Sequence, residues 1–197
     1  MDYMTRWGYS VELPEGDAAL PPIITAAQFS AITGGVMSST PERVQAVLDG
    51  VSQAVRDWCG WHVAPVLPCE WTGQGEGRML LLPCLGVRSV TEVVVDGSPR
   101  SFEWLPSGIV RLVGSTFPDS WRSVECSFIA GNDATSALAM AVAQIAANSL
   151  AATAGVREEH AGQVGITYNQ TANGVSGGVR LLDSDYRLLA PYRLETR

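Results

Sequence analysis

Apolar positions in this chain follow different rhythms in different stretches, and the changes of rhythm divide it into parts. In "SSTPERVQAVLDGVSQAVRDW", Val44, Val47, Leu48, Val51, Val55 and Trp58 recur at steps of three and four. That spacing lines one face of a helix. Thr40 is placed to cap it, Pro41 sits where a missing N–H does no harm, and Glu42 complements the helix dipole. Gly60 and Pro65 end it. Upstream, Thr25 and Gln28 in "ITAAQF" have capping-box spacing, which predicts a short helix stopped at Gly34–Gly35. From Val63 to Gly131 the rhythm becomes two. "RMLLLP", "VRSVTEVVVDG", "SFEW", "GIVRLVG" and "WRSVECSFIAG" read as five strands, with Asp96–Gly97 and Ser107–Gly108 as hairpin-type turns. Short strands in sequence suggest an antiparallel sheet or a small barrel.

A third pattern runs from Ala134 to Val156, where alanine dominates and no residue is charged. Helix propensity there is high. An ordinary surface helix carries a charged face, and this one has none. Its length would allow a membrane span, but Gln144, Asn148 and several hydroxyls dilute the apolarity and no basic flank anchors it. Burying it on every side asks more core than 197 residues readily supply. The favoured reading is that one face meets another subunit, with Ala139, Ala143 and Ala147 as interface candidates.

The resulting fold class is α+β. Residues 1–22, rich in acids and prolines, read as an N-terminal arm. Residues 23–62 and 132–155 form a helical core of a short helix, an amphipathic helix and a long alanine-rich helix. Residues 63–131 are an antiparallel β insertion. Residues 156–197 are a glycine-rich loop, with one strand at "VGITYN", leading to an extended C-terminal segment. There Asp183 or Ser184 can cap a last short helix that Pro191 stops.

Composition narrows the function. Hydrophobic residues make up 46% of the chain, ample for a core. The net charge is −7 and every basic residue other than histidine is arginine, which argues against a surface that grips nucleic acid. The opening "MDYMTRWGYS" has no apolar run of signal-peptide type, so four cysteines are expected reduced and the protein intracellular and soluble, with no membrane partner.

The most chemically loaded stretch is "VRDWCGWHVAP". Cys59 and His62, with Cys69 and Cys84 beyond, offer four zinc ligands, but the later pair is fifteen residues apart, unlike usual structural sites. A thiol nucleophile at Cys59 would lack a neighbouring positive charge or a glycine-framed elbow. Glu158 and Glu159 beside His160 read as a solvated face. A Walker lysine is impossible in a chain without lysine, and "GQGEG" merely links two strand-like runs. The residues therefore read as no catalytic site, no cofactor and no metal. "VRDWCGWHVAP" becomes a structural joint, with Trp58 and Trp61 as packing anchors and Cys59 and His62 as bystanders.

"ITAAQF", "AVRDWCGWHVAP", "LLLPCLGVRSVTEVVVDG" and "LLAPYRL" together resemble the head-to-tail adaptor (connector) proteins of long-tailed bacteriophages, particularly those of actinobacteria. The likeness runs from about residue 23 to the end. It implies a non-enzymatic virion protein at the capsid vertex, assembled in the host bacterial cytoplasm. It also implies a homo-oligomeric ring, usually of twelve, between the portal protein and a stopper or tail-terminator protein. DNA would pass through the channel without sequence-specific binding. The family's portal-gripping segment maps here onto Leu188, Leu189, Ala190, Pro191, Tyr192, Arg193 and Leu194. The large β insertion departs from the simplest all-helical members. The alternatives are another neck protein, a stopper or tail terminator, or a small zinc-binding or thiol protein using Cys59 and His62.

Overall fold

A computed structural model describes residues 2–35, 39–133, 136–151, 158–161, 164–167 and 181–195. The chain divides into two compact units. The β unit comprises Met1–Pro21, Cys59–Asp133 and Tyr192–Arg197, and the helical unit comprises Pro22–Trp58 and Ala134–Pro191.

The β unit contains β1 (Asp2–Met4), β2 (Ser10–Glu12), β3 (Leu67–Gly73), β4 (Met79–Leu81), β5 (Val87–Val95), β6 (Ser98–Pro99), β7 (Phe102–Leu105), β8 (Ile109–Leu112) and β9 (Val124–Ala130). They form two antiparallel sheets, one ordered β1-β2-β3-β9-β5-β6 and one ordered β4-β8-β7. Residues 1–22, expected as an extended arm, thus supply two strands, with Val11 paired to Cys69.

Strict alternation governs β9, where Val124, Cys126, Phe128 and Ala130 are buried. Its neighbours complete the rows: Phe128 lies opposite Cys69 on β3 and Val90 on β5, and Cys126 lies opposite Trp71 and Val93. On β5 the buried residues fall at Val87, Val90, Val93 and Val95, which is not period two. Register shifts between Val87 and Ser89 and between Val90 and Glu92 explain this. Each inserts a residue that leaves the ladder and restores the inward face beyond it. The inserted Thr91 donates its hydroxyl to Ser127 O at 2.9 Å, and the inserted Arg88 pairs with Asp133 at 2.8 Å. Asp96 and Gly97 both have positive φ, 49° and 72°, as a two-residue turn between β5 and β6 requires.

The helical unit contains α1 (Ala26–Thr33), α2 (Pro41–Cys59, whose last residue falls in the β unit), α3 (Ser136–Ala151), the hairpin β10 (Glu158–Ala161) and β11 (Val164–Thr167), and α4 (Asp183–Leu189). A 3-10 turn, Ala190–Tyr192, follows α4. The capping box of α1 is formed: the Gln28 N–H donates to Thr25 Oγ1 at 3.2 Å and the Thr25 N–H to Gln28 Oε1 at 2.8 Å. Thr40 Oγ1 accepts from the Arg43 N–H at 3.3 Å at the start of α2. The stripe of α2 buries Leu48, Val51 and Val55 fully, each stabilising by roughly 1.5–3 kcal/mol. Ser52 on the same face accepts from the Ile23 N–H at 2.9 Å.

Arg43 reaches across to α3, donating to Leu150 O at 3.2 Å, so a cation from α2 meets the negative end of a helix that has no charge of its own. At α4 the cap differs from expectation. Leu182 takes the N-cap position, and Asp185, one turn inside, accepts from the Leu182 N–H at 2.8 Å. Most of the glycine-rich stretch 162–178 lies outside the described residues. Among the described residues no helix is long and apolar enough to cross a membrane.

Candidate functional site

The stretch from Cys59 to Pro65 is built around buried polar contacts. Gly60 takes φ 79°, ending α2 in a left-handed conformation that glycine adopts without steric penalty. Trp61, His62, Val63 and Ala64 are all buried. His62 Nε2 faces Ala130 O at 3.1 Å, an oxygen that can only accept, so Nε2 carries the proton. Nδ1 then accepts from the Tyr9 hydroxyl at 2.6 Å, and the same hydroxyl oxygen accepts the His62 backbone N–H at 3.1 Å. Both ring nitrogens are spent on the fold, and neither offers a lone pair to a metal.

Val63 sits at φ 62°, a strained conformation for a β-branched residue, costing about 1–3 kcal/mol. Its carbonyl is held twice by Asn132, from the backbone N–H at 2.8 Å and the side-chain amide at 3.0 Å. Nothing in the local sequence announces Tyr9 or Asn132, because both arrive from distant parts of the chain.

The four cysteines are free thiols and buried. Burial pushes the Cys59 thiol up to about 12, with the Arg193 guanidinium pulling slightly the other way. Burial likewise raises Cys69 and Cys126 to about 12. Cys84 is raised as well, by burial and then by the neighbouring Cys69 and Cys126 thiols. At neutral pH these groups are protonated and behave as small apolar side chains, not as nucleophiles. Among the described residues no group of three or more His, Cys, Asp or Glu side chains is arranged to hold a metal ion.

The C-terminal segment returns to this stretch. The Trp61 indole N–H donates to Tyr192 O at 2.7 Å, and the Leu194 N–H donates to Cys59 O at 2.8 Å. "CGWHVAP" and "LLAPYRL", two of the segments that carry the sequence resemblance, are therefore hydrogen-bonded to one another. Of the candidate docking residues, Leu189 is fully buried, Tyr192 and Leu194 are half-buried, and Leu188, Pro191 and Arg193 are exposed. Trp58 is half-buried and stacks at a tilt on Tyr186 of α4, with ring centroids 5.2 Å apart.

On α3, Ala139 and Ala143 face inward with Leu138, Val142, Ile145 and Ala146, whereas Ala147 is half-buried. The open face carries Ala137, Met140, Gln144, Asn148 and Ala151, with Ala147 at its margin. The lack of charge thus extends to the solvent side, but Ala139 and Ala143 are already covered within the chain.

By sequence, the chain matches no family model and no curated protein. By structure it is similar to chains of gene transfer agent particles. One, in the virion of a native gene transfer agent particle, superimposes with a TM-score of 0.57 at 18% identity, covering 92% of this chain and 96% of that one. Another, in the neck of an empty particle computed with C6 symmetry, gives 0.56 at 18% identity over 92% and 95%. A third, in the neck of a native particle computed with C12 symmetry, gives 0.50 at 17% identity over 88% and 94%. The fold is one found in particle necks. It is mixed α+β, with antiparallel sheets, and the likeness spans both units.

Proposed function

We propose that this chain is a structural, non-enzymatic neck protein of a phage-like particle. In this reading it is the head-to-tail adaptor, a ring of about twelve copies seated under the portal and continuing the DNA channel to a stopper or tail terminator. The observation that carries the reading is the match, over more than nine-tenths of both chains, to a chain in the neck of a gene transfer agent particle. The sequence resemblance to adaptor proteins points the same way, and two of its segments prove to be one hydrogen-bonded feature.

Within this proposal the docking surface of the C-terminal segment is Leu188, Pro191 and Arg193, the side chains that remain open. Leu189, Tyr192 and Leu194 hold the segment in place behind them. The subunit contact on α3 runs through the Met140 side, with Ala147 at its edge, while Ala139 and Ala143 set the packing beneath. Negative-stain imaging of the purified chain mixed with its portal protein tests the reading. A ring stacked coaxially on the portal is the expected image. Failure to bind portal, with binding instead to isolated tail tubes, would move the protein to the terminator position.

A further inference from the structure

The sheet β4-β8-β7 has an unusual outer face. Register fixes which residues share it: Met79, Arg111 and Glu103 form one row across the three strands, and Leu81, Ile109 and Leu105 form the next. The opposite face holds Leu80, Val110 and Leu112, all buried, with Trp104 and Phe102 half-buried. The sheet is therefore packed on one side only, and its open side should be polar. Instead Met79 is 55% exposed, Leu81 48% and Leu105 54%, and Val113, which continues the alternation just past β8, is 51% exposed. Four of the nine large apolar side chains exposed among the described residues lie on this face. Clustered exposure of this kind marks an interaction surface, whereas scattered single residues do not.

We infer that this face is one half of the contact between neighbouring copies of the chain, the other half being the open side of α3 centred on Met140. The inference rests on the ring reading above. A cyclic ring of more than two copies is closed by a head-to-tail contact, which requires two different surfaces on each chain, both able to lose water. The open face of α3 meets that requirement, since it has no charged residue to desolvate and Met140 is 61% exposed. The Arg111–Glu103 ion pair shares the sheet face and, with both charges exposed, belongs at the wet rim of such a contact.

A mixing experiment tests the pairing directly. One full-length variant carries Leu81→Asp and Leu105→Asp, and the other carries Met140→Asp and Asn148→Asp. All four positions are open to solvent, so circular dichroism should show both variants folded. By native mass spectrometry the wild type should form rings, alone or on purified portal, and each variant should be monomeric. An equimolar mixture should yield a one-to-one heterodimer, because only one intact sheet face then meets one intact helix face. Rings formed by either variant alone would place the contact elsewhere while leaving the ring reading standing. Monomeric variants that give no heterodimer on mixing would overturn the pairing of these two faces. A wild type that stays monomeric at every concentration and on portal would remove the ring itself.

Discussion

The two sheets of the β unit treat their open faces in opposite ways. On the larger sheet the outward rows are Pro68–Ile129–Ser89, Glu70–Ser127–Glu92 and Thr72–Glu125–Val94, so three glutamates and three hydroxyl side chains outnumber the apolar Pro68, Ile129 and Val94. On the smaller sheet the outward rows hold four apolar side chains and one ion pair. Both sheets have apolar inner faces, so hydrophobic patterning inward does not separate them. What separates them is the outward register. Charge costs nothing on a face that stays in water and a great deal on one that must lose it. The larger sheet is built for solvent, and the smaller one for a partner.

The inner row Cys69–Phe128–Val90 provides the sharpest way to test what holds the larger sheet. Phe128 is fully buried at its centre. Phe128→Ala should destabilise the protein by about 3–5 kcal/mol, read as a shift in the urea midpoint with unchanged slope. A loss below 1 kcal/mol would mean that this row is not the core of the unit.

The thiols on that inner face give a second, smaller effect. Cys69 and Cys126 ordinarily ionise near 9.0, and burial lifts both to about 12. Their folded-state values are the higher ones, so their contribution is complete below pH 9. It is lost as pH rises from 9 towards 12, because the unfolded chain ionises first and folding must then return the protons. Stability should therefore fall across that window, and replacing Cys69 and Cys126 by alanine should flatten the fall. In the native protein at pH 8 a thiol reagent should react slowly with all four cysteines and rapidly after denaturation. Fast labelling of Cys69 or Cys126 in the folded chain would contradict a dry inner face.

Much of this architecture was legible in the sequence because the signals are local. The capping box at Thr25 and Gln28, the stripe of α2, the Asp96–Gly97 turn and the β7–β8 alternation each depend on residues a few positions apart. The strands β1, β2 and β3 were harder to see. β1 and β2 have only three residues each, and β3 alternates but carries a proline, a residue that ordinarily argues against a strand interior. The burial of Trp61 was legible as aromatic packing, but the polar wiring of the stretch from Cys59 to Pro65 was not. Tyr9, Asn132 and the Tyr192 carbonyl reach it from 53, 69 and 131 residues away, a separation that no periodicity reports. The absence of charge on α3 was plain, whereas the inward direction of Ala139 and Ala143 emerged only once the helix was packed, since alanine fits either side.

The smallest expected effect is also the one that would break the comparison most directly. Leu81→Thr with Leu105→Thr places strand-favouring β-branched residues at these positions and removes the apolar projection from the outer row. If this face awaits a partner, the isolated chain loses little packing, and its unfolding free energy should change by within about 0.5 kcal/mol. The same exchange of an apolar side chain for threonine at Val90, on the larger sheet's inner face, leaves a hydroxyl in a buried row and should cost about 1–3 kcal/mol. Thermal melts of the two variants at concentrations where the chain is monomeric make the measurement. Equal losses would show that the outer row is already covered within the chain, and the two sheets would then differ in sequence without differing in purpose. A silent outer row beside a costly inner one, with oligomer formation impaired only by the silent pair, would assign the exposed leucines to association and not to folding.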